Sequence, residues 1–582
     1  MSKTLRSFFD ALSEQEKLFQ AELASDSLGI ALRTAVNELD WYAYNMARSG
    51  EPNLEQQEQF YILSIGVARL IKLGLDARPS YDVPVIMFPR TRELTISALE
   101  CASGLGMIQH GRRVAQTVSW NRGEIEQTGE TEFVITLPEK IYDEDSLEKS
   151  ILEHYTAQSA QIFEEIVSSD RFKELGGKVS GLLSQLVYPF AEHFIGYGGD
   201  PILDLYFFGI ARHRLQCQRG FDSFKFNLKF GGVEFQKYIL ALDFVTGIAI
   251  RHERFAEALA EKEEKSRIEN LLTISVEVEP FVESLREAVN FLGQDVIGFT
   301  EASPEQAVTI FKVLSIDRES TELLDRPGCA LPPFIRVSDS GAIRCQTGAL
   351  HYAMQFLLDA LRWHFPNDYS KNQATRETSM QAAVERVMTE AYDNLLFRRN
   401  VRLRYDGRVL TDVDLVVAEP RTGLVLFFQL KHQDMYGADL HAEAQRKERL
   451  QTQIEKWNAA TSEWLDASDR ESVSSATRLP KGFPEPSVKR IILTRHFAGN
   501  LHSDRHSNPP LSSNWEVFFN AVELAKQKHG GAAVSDVLGH IEKSMSESAK
   551  RTHVSEPESE WIIRDLKFTT RQAGNFRSDH ID

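Results

Sequence analysis

Cysteine is scarce in this chain. Four occur among 582 residues, Cys101, Cys217, Cys329 and Cys345, and no two form a CxxC pair. That excludes a structural zinc site built from cysteine alone. Scattered cysteines in a long chain are ordinarily reduced core residues. Long apolar runs are missing too. A membrane-spanning helix needs about 18 apolar residues, and the nearest run, Tyr238 to Ile250, is too short and contains Asp243. The N-terminal stretch MSKTLRSFFDALSEQEKLF has no apolar signal core and reads as an amphipathic helix. A cytoplasmic protein with no membrane span is therefore expected. Nucleotide-binding glycine patterns are absent: GYGG at 196–199 fits neither the phosphate-loop nor the dinucleotide spacing and reads as a turn. Positive charge is in deficit, with a formal net charge of −18. Such a chain repels nucleic acid overall, so any contact with one must come from a local basic patch.

What is present is more than one core can hold, since single cores stop growing at about 250 to 300 residues. At 42% hydrophobic and 26% charged, the composition is that of a globular protein rather than a disordered one. The expected architecture is multidomain, a mainly α-helical N-terminal region followed by a C-terminal α/β domain. Residues 1–85 read as a helical domain, with Phe8, Leu12, Leu18, Phe19 and Leu23 at near-helical spacing and Pro79 and Pro84 ending it. Residues 86–140 read as a small α+β segment. A helix over Leu94 to Met107 leads to strand signals at Val114 to Trp120 and at Phe133 to Leu137, across a polar turn. A helix followed by a hairpin is similar to a winged helix, and a plain α+β segment is the alternative.

Residues 141–365 read as mostly helical, with Ile151 to Val167, Ala256 to Leu272 and Gly348 to Phe365 as the main helices. The EKEEK run at 261–265 reads as a solvated helix face. The polar segment 366–376, PNDYSKNQATR, marks the strongest domain boundary. Beyond it, 377–525 forms the C-terminal α/β domain. An extension follows over 526–582, where the polar stretches 543–560 and 570–582 predict partial disorder around a docking segment, Trp561 to Phe568.

The most informative stretch is VLTDVDLVVA-EPRTG-LVLFFQLKH, Val409 to His432. Upstream, Thr378 to Phe397 reads as a helix whose Thr378 and Gln381 fit a capping box and whose Glu385 lies beside the apolar stripe. Val401 to Tyr405 reads as a first strand, turning at Asp406-Gly407. Val409 to Ala418 and Leu424 to His432 read as the next two strands. Alternation puts Asp412, Asp414 and Val416 on one face, and Gln429 with Lys431 on one face of the next strand. A four-residue turn at 420–423 sets Asp414 opposite Gln429 and Asp412 opposite Lys431. Both faces are otherwise apolar, so the hairpin is expected to be buried. A buried carboxylate and a buried lysine need partners or a metal.

Phosphodiester hydrolysis calls for such a set: oxygen ligands for a hard divalent cation and a lysine beside it. Here the chain resembles the PD-(D/E)xK nuclease superfamily over about residues 377–525, on the order helix, strand, Asp, turn, QxK, helix, strand. Gln in the third-strand motif resembles the Mrr-type restriction endonuclease branch. The resemblance implies a restriction-endonuclease-like domain with a mixed central sheet flanked by helices. It also implies Asp414 as metal-binding aspartate, Gln429 in the usual Glu position, Lys431 as catalytic lysine and Glu385 as the helical acid. Mg²⁺ or Mn²⁺ would be the cofactor, bound by Asp414, Gln429 and Glu385 with Asp412 as a spare ligand. A further helix over Ala438 to Leu465, a strand over Val488 to Thr494 and a helix over Trp515 to Lys526 suit the same order.

Arg398, Arg399, Arg402, Arg404 and Arg408 form the densest basic stretch. They read either as phosphate contacts or as a solvated strand edge and helix end. His496, His502 and His506 with Asp504 have metal-like spacing but loop-like neighbours. The expected function is a metal-dependent nuclease, acting on DNA in preference to RNA. Its N-terminal region would recognise or regulate, a layout that suits prokaryotic restriction or anti-phage defence. Two alternatives stay open: a nuclease-fold binding or scaffold protein without catalysis, and an interaction protein whose function lies in residues 1–365. A homo-oligomer or a partner protein is compatible with each.

Overall fold

The computed structural model describes all residues except 1, 24–27, 51, 78–89, 120–122, 138–163, 165–167, 192–193, 220–223, 433–439, 496–508, 527–532, 552–557 and 573–582. It is a mixed α/β chain with a helical N-terminal region. Among the described residues, no helix is long and apolar enough to cross a membrane. The histidine group His496, His502, Asp504 and His506 lies outside the described residues, as does nearly all of the expected helix at Ile151 to Val167.

Helices α1 (Lys3–Leu23), α2 (Leu28–Arg48), α3 (Leu54–Ala77) and α4 (Arg92–Ser119) pack around Phe8, Leu12, Leu39, Val67, Ile71, Ala102 and Ile108. Glycines bring α3 and α4 into backbone contact. A Cβ at Gly66 would sit inside the Ala102 carbonyl, and one at Gly106 inside the Ile62 carbonyl. Because α4 runs to Ser119, the strand expected over Val114 to Trp120 is instead its last turns, with Val114, Ala115 and Val118 buried. β-branched residues suggested a strand there, but helix packing outweighed that weak preference.

The hairpin β1 (Glu124–Gln127) and β2 (Glu132–Leu137) does not stand as the wing of a winged helix. It belongs to a four-stranded sheet with β16 (Ser559–Ile563) and β17 (Leu566–Gln572), in the order β1-β2-β17-β16. The C-terminal extension is thus partly built into the N-terminal core.

The middle of the chain holds α5 (Asp170–Leu186), β3 (Val187–Phe190), β4 (Phe194–Tyr197), α6 (Pro201–Arg219), and the two-residue strands β5 (Lys229–Phe230) and β6 (Val233–Glu234). Gly196 and Tyr197 therefore end a strand rather than making a turn. Helix α7 (Phe235–Lys262) is its buried axis. The expected helix over Ala256 to Leu272 splits into the end of α7 and a short α8 (Ile268–Leu271). Next come β7 (Ser275–Glu277), α9 (Val278–Gly293), α10 (Pro304–Val313), β8 (Ser315–Ile316), β9 (Phe334–Arg336), β10 (Gly341–Arg344) and α11 (Ala353–His364). Strands β7–β10 form a second sheet, of order β7-β10-β9-β8. Asp40 of α2 ties the two regions together. It accepts from Thr273 Oγ1 (2.8 Å), Gln346 N (3.1 Å), Thr347 N (2.8 Å) and Thr347 Oγ1 (2.8 Å), and burial pushes its carboxyl up to about 6.

Residues 366–376, whose polar composition marks an expected domain boundary, are helical. They open α12 (Pro366–Ala391), with Pro366 in the first turn, where a missing N–H costs nothing. Arg376 within this segment is almost fully buried, with its guanidinium 3.8 Å from the Phe224 ring centroid. Thr378 is consequently mid-helix and caps nothing.

After α12 come β11 (Leu396–Tyr405), β12 (Arg408–Ala418), β13 (Leu424–Lys431), α13 (Leu440–Ala467), α14 (Arg470–Ala476), β14 (Ser487–Thr494), β15 (Leu511–Asn514), α15 (Trp515–Lys526) and α16 (Val534–Arg551). The sheet runs β11-β12-β13-β14-β15, antiparallel through β13 and parallel from there. Leu415, Val417, Leu426, Phe428 and Leu430 pack on one side with residues of α12, α15 and α16. Val413, Val416, Val425 and Phe427 pack on the other with Leu450, Ile454, Trp457 and Trp464 of α13. Strands β16 (Ser559–Ile563) and β17 (Leu566–Gln572) then return to the N-terminal sheet, where β17 lies parallel to β2 with Phe568 beside Phe133.

Candidate functional site

The Asp406-Gly407 turn forms, with φ of 47° and 77°. The second turn forms too, as Glu419 N donates to Leu424 O (2.9 Å) and Gly423 N to Glu419 O (3.0 Å). Between them, regular pairing fails at one place. The β11–β12 ladder runs Arg399 to Leu415, then Val401 to Val413, and passes over Asn400, which has φ 51°. The β12–β13 ladder stops at Leu415 and Phe428. Asp414 sits in this gap. Strict alternation also breaks there, because Val413 and Val416 share a core although three residues apart. Asp412, Asp414 and Val416 therefore do not share one face as expected.

Where the strands part, the Asp414 side chain takes over from the backbone. Its Oδ2 accepts from Leu430 N (2.7 Å) and from Gln429 Nε2 (2.9 Å). Asp414 and Gln429 thus meet through their side chains, both buried. Burial pushes the Asp414 carboxyl up to about 6. The Leu430 N–H and the charge of Lys431 pull it down, while Glu377 and Asp412 push it further up. Those opposing charges place Lys431, Glu377 and Asp412 in the same electrostatic neighbourhood.

Lys431 is held toward Glu377 of α12, Nζ to Oε1 3.7 Å, and not opposite Asp412. Asp412 lies across from Arg402 and is exposed. Glu385 is not brought to the cluster: Arg399 grips it from Nε (2.7 Å) and Nη2 (2.5 Å). The acid that α12 does present there is Glu377, two turns earlier. Reading the helix as starting at Thr378 left Glu377 outside it. Gln381 is a second residue the sequence reading missed. Its Nε2 donates to Asp414 O (2.9 Å) and to Asn400 Oδ1 (3.0 Å), pinning both sides of the gap. A polar side chain on the buried stripe of α12 was the available signal.

Of the five arginines, Arg399 is committed to Glu385, and Arg398 donates to Phe397 O (2.8 Å) and Arg478 O (3.3 Å). Arg402, Arg404 and Arg408 are exposed on the outer part of the hairpin.

The cluster lies near the carboxyl end of β13. Because β13, β14 and β15 are parallel, Lys431, Thr494 and Asn514 end at one edge of the sheet. That is the edge at which open α/β sheets bind ligands. Arg495 N donates to Lys431 O (2.9 Å) there. Asn514 Oδ1 accepts from Val517 N (2.9 Å) at the start of α15.

The donor set is oxygen-only: the Asp414 and Glu377 carboxylates and the amide oxygen of Gln429. Gln429 Oε1 is buried with no hydrogen-bond partner. An orphaned acceptor of this kind costs about 1–3 kcal/mol unless something meets it. Hard cations such as Mg²⁺ take oxygen ligands, so the residues present suit one. Among the described residues, no group of three or more His, Cys, Asp or Glu side chains is placed to hold a metal ion. Here an amide stands where a third acid would.

Fold and site together define an α/β domain with a carboxylate–amide–lysine cluster at the carboxyl edge of a mixed five-stranded sheet. Comparisons with known protein families, with curated proteins and with solved structures return no match.

Proposed function

We propose that the C-terminal domain is a metal-dependent nuclease, hydrolysing phosphodiester bonds of a nucleic acid, in preference DNA, with Mg²⁺ or Mn²⁺ held by Asp414, Gln429 and Glu377. The observation that carries this is the gap in the hairpin, where Asp414 and Gln429 meet beside Lys431 and the Gln429 Oε1 acceptor is left open. The resemblance to the PD-(D/E)xK superfamily supports the same reading, with Glu377 in place of Glu385 as the helical acid.

Each residue then has a task. Leu430 N–H and Gln429 Nε2 fix Asp414 Oδ2, and Gln381 fixes its backbone. The Lys431 ammonium, oriented by Glu377, stabilises charge that builds on the attacked phosphate. A divalent cation, when bound, polarises the phosphate and lowers the pKa of a water. The helical N-terminal region serves recognition or regulation.

Incubation of the full chain with supercoiled plasmid and Mg²⁺ tests the reading. Nicking that EDTA stops, and that Asp414→Ala and Lys431→Ala each abolish, is the expected result. Cleavage that survives both substitutions removes this site from the reaction. A second reading, a nuclease-like domain that binds without cutting, draws on Gln429 itself, which brings no charge to a cation. Plasmid binding with no cutting under Mg²⁺ or Mn²⁺ favours it.

A further inference from the structure

The β11–β12 hairpin continues well past the site. From Asp414 to Gly407 is seven residues of strand, roughly 23 Å at about 3.3 Å per residue. This outer part is exposed on both strands: Arg402, Arg404, Tyr405, Arg408, Val409 and Asp412 all face solvent. It is not a loose loop. Trp464 Nε1 donates to Arg404 O (3.0 Å) and Trp457 Nε1 to Asp412 O (2.8 Å), so two buried tryptophans of α13 brace one strand each. A register shift between Leu403 and Arg404 changes the pairing near the tip. Arg404 then lies across from Val409, and Tyr405 across from Arg408. Adjacent positions on a strand point to opposite faces. Each face of the tip therefore carries one arginine and one apolar or aromatic group. Tyr405 and Val409 are 44% and 48% exposed, large values for residues that fold into no core.

We infer that this braced ribbon is a DNA-binding element that enters the major groove of a duplex, with Arg404 and Arg408 reaching opposite groove walls. The inference rests on the nuclease reading only for what happens at Asp414; binding by the ribbon stands separately. The groove of B-DNA is about 12 Å wide and admits a two-stranded β-ribbon. The major groove of A-form RNA is deep and narrow and admits no such element. Arginines on both faces suit a groove with phosphates on two sides, while an element lying flat on a surface would use one face. Arg402 is set against Asp412, which leaves Arg404 and Arg408 as the cations for phosphate or base edges. Two arginines against Asp406 at the turn leave residues 404–408 a net charge of +1, a local excess that matters because the whole chain carries −18.

The experiment is fluorescence anisotropy with the full chain in EDTA, using a 30-base-pair DNA duplex and a duplex RNA of the same sequence as probes. DNA is expected to bind at least tenfold tighter than the RNA. Arg404→Ala/Arg408→Ala is expected to weaken DNA binding by roughly tenfold per arginine and to lower the slope of log affinity against log salt by about 2. Tyr405→Ala weakens binding without changing that slope. Thermal unfolding of each variant, matching the parent, shows that the exposed substitutions leave the fold intact. Equal binding of DNA and RNA, no binding of DNA, or a double variant with the parent's affinity and slope overturns the inference. The two readings fail separately. Plasmid cutting that is unchanged in the double variant sinks the ribbon and leaves the nuclease. Salt-dependent DNA binding lost in the double variant, with no cutting in any metal, sinks the nuclease and leaves the ribbon.

Discussion

Replacing Gln429 by Glu changes one atom of the site and tests its logic directly. The amide nitrogen now donates to Asp414 Oδ2 at 2.9 Å. A buried hydrogen bond to a charged group contributes about 1.5–3 kcal/mol. Gln429→Glu removes it and sets two carboxyl groups at the same separation. Like charges so close cannot both ionise freely, so the pair titrates as a unit with one step pushed up. The sign follows from Asp414, whose carboxyl already stands at about 6 against an ordinary 3.8. A raised acid contributes its full stability below 3.8 and loses it as pH rises through 6. The variant's extra instability therefore grows with pH. At pH 5 the pair keeps a shared proton and the variant unfolds close to the parent. At pH 8 in EDTA it is less stable by about 2 kcal/mol, roughly 4–8 °C in the midpoint of a domain this size.

Mg²⁺ reverses the order, because the second carboxylate now meets a cation. At about 100 times its Kd, a bound ion adds about 2.7 kcal/mol. Scanning calorimetry at pH 5 and pH 8, in EDTA and in Mg²⁺, reads all four corners. A variant that melts with the parent at pH 8 in EDTA, or an equal Mg²⁺ effect on both proteins, refutes this account of the site.

Gln381→Leu keeps the bulk of the side chain but orphans the Asp414 carbonyl and releases the exposed Asn400 to water. It should cost about 1–3 kcal/mol in chemical denaturation and lower plasmid-cutting kcat more than it raises KM; unchanged stability would show that Gln381 does not pin the gap. In the N-terminal bundle, Gly66→Ala drives a methyl into the Ala102 carbonyl, and with the helices forced apart the loss should be about 1–3 kcal/mol or more in urea denaturation. A neutral result there means that α3 and α4 separate freely.

The hairpin was legible because its polar residues interrupt two long apolar runs, and turn chemistry at Asp406-Gly407 set the strand ends. The gap at Asp414 was not. Nothing in the local pattern announces that Asn400 takes a left-handed conformation, and period-two alternation assumes an unbroken ladder. Polar composition at 366–376 hid the start of α12, because Arg376 is buried by stacking on an aromatic ring from a distant segment. That error shortened the helix and moved the acid choice to Glu385, whose true partner is Arg399. The four-stranded N-terminal sheet was beyond local reading altogether. Its central pair joins residues from opposite ends of the chain, and only tertiary contacts select such a pairing.

That sheet sets a clock. Arg571 Nε bonds Thr136 Oγ1 across 435 residues, and Gln15 bonds Asp565 across 550. Ribosomes extend chains at about 5–20 residues per second, so β2 waits roughly 20–90 s for its neighbour to be made. Throughout that interval the apolar side chains of Phe133 and Ile135 lack their final cover, and the residues of the Asp414 cluster, through Lys431, are all synthesised before Leu566 opens β17. The core around Phe133 is begun before the Asp414 cluster and finished after it.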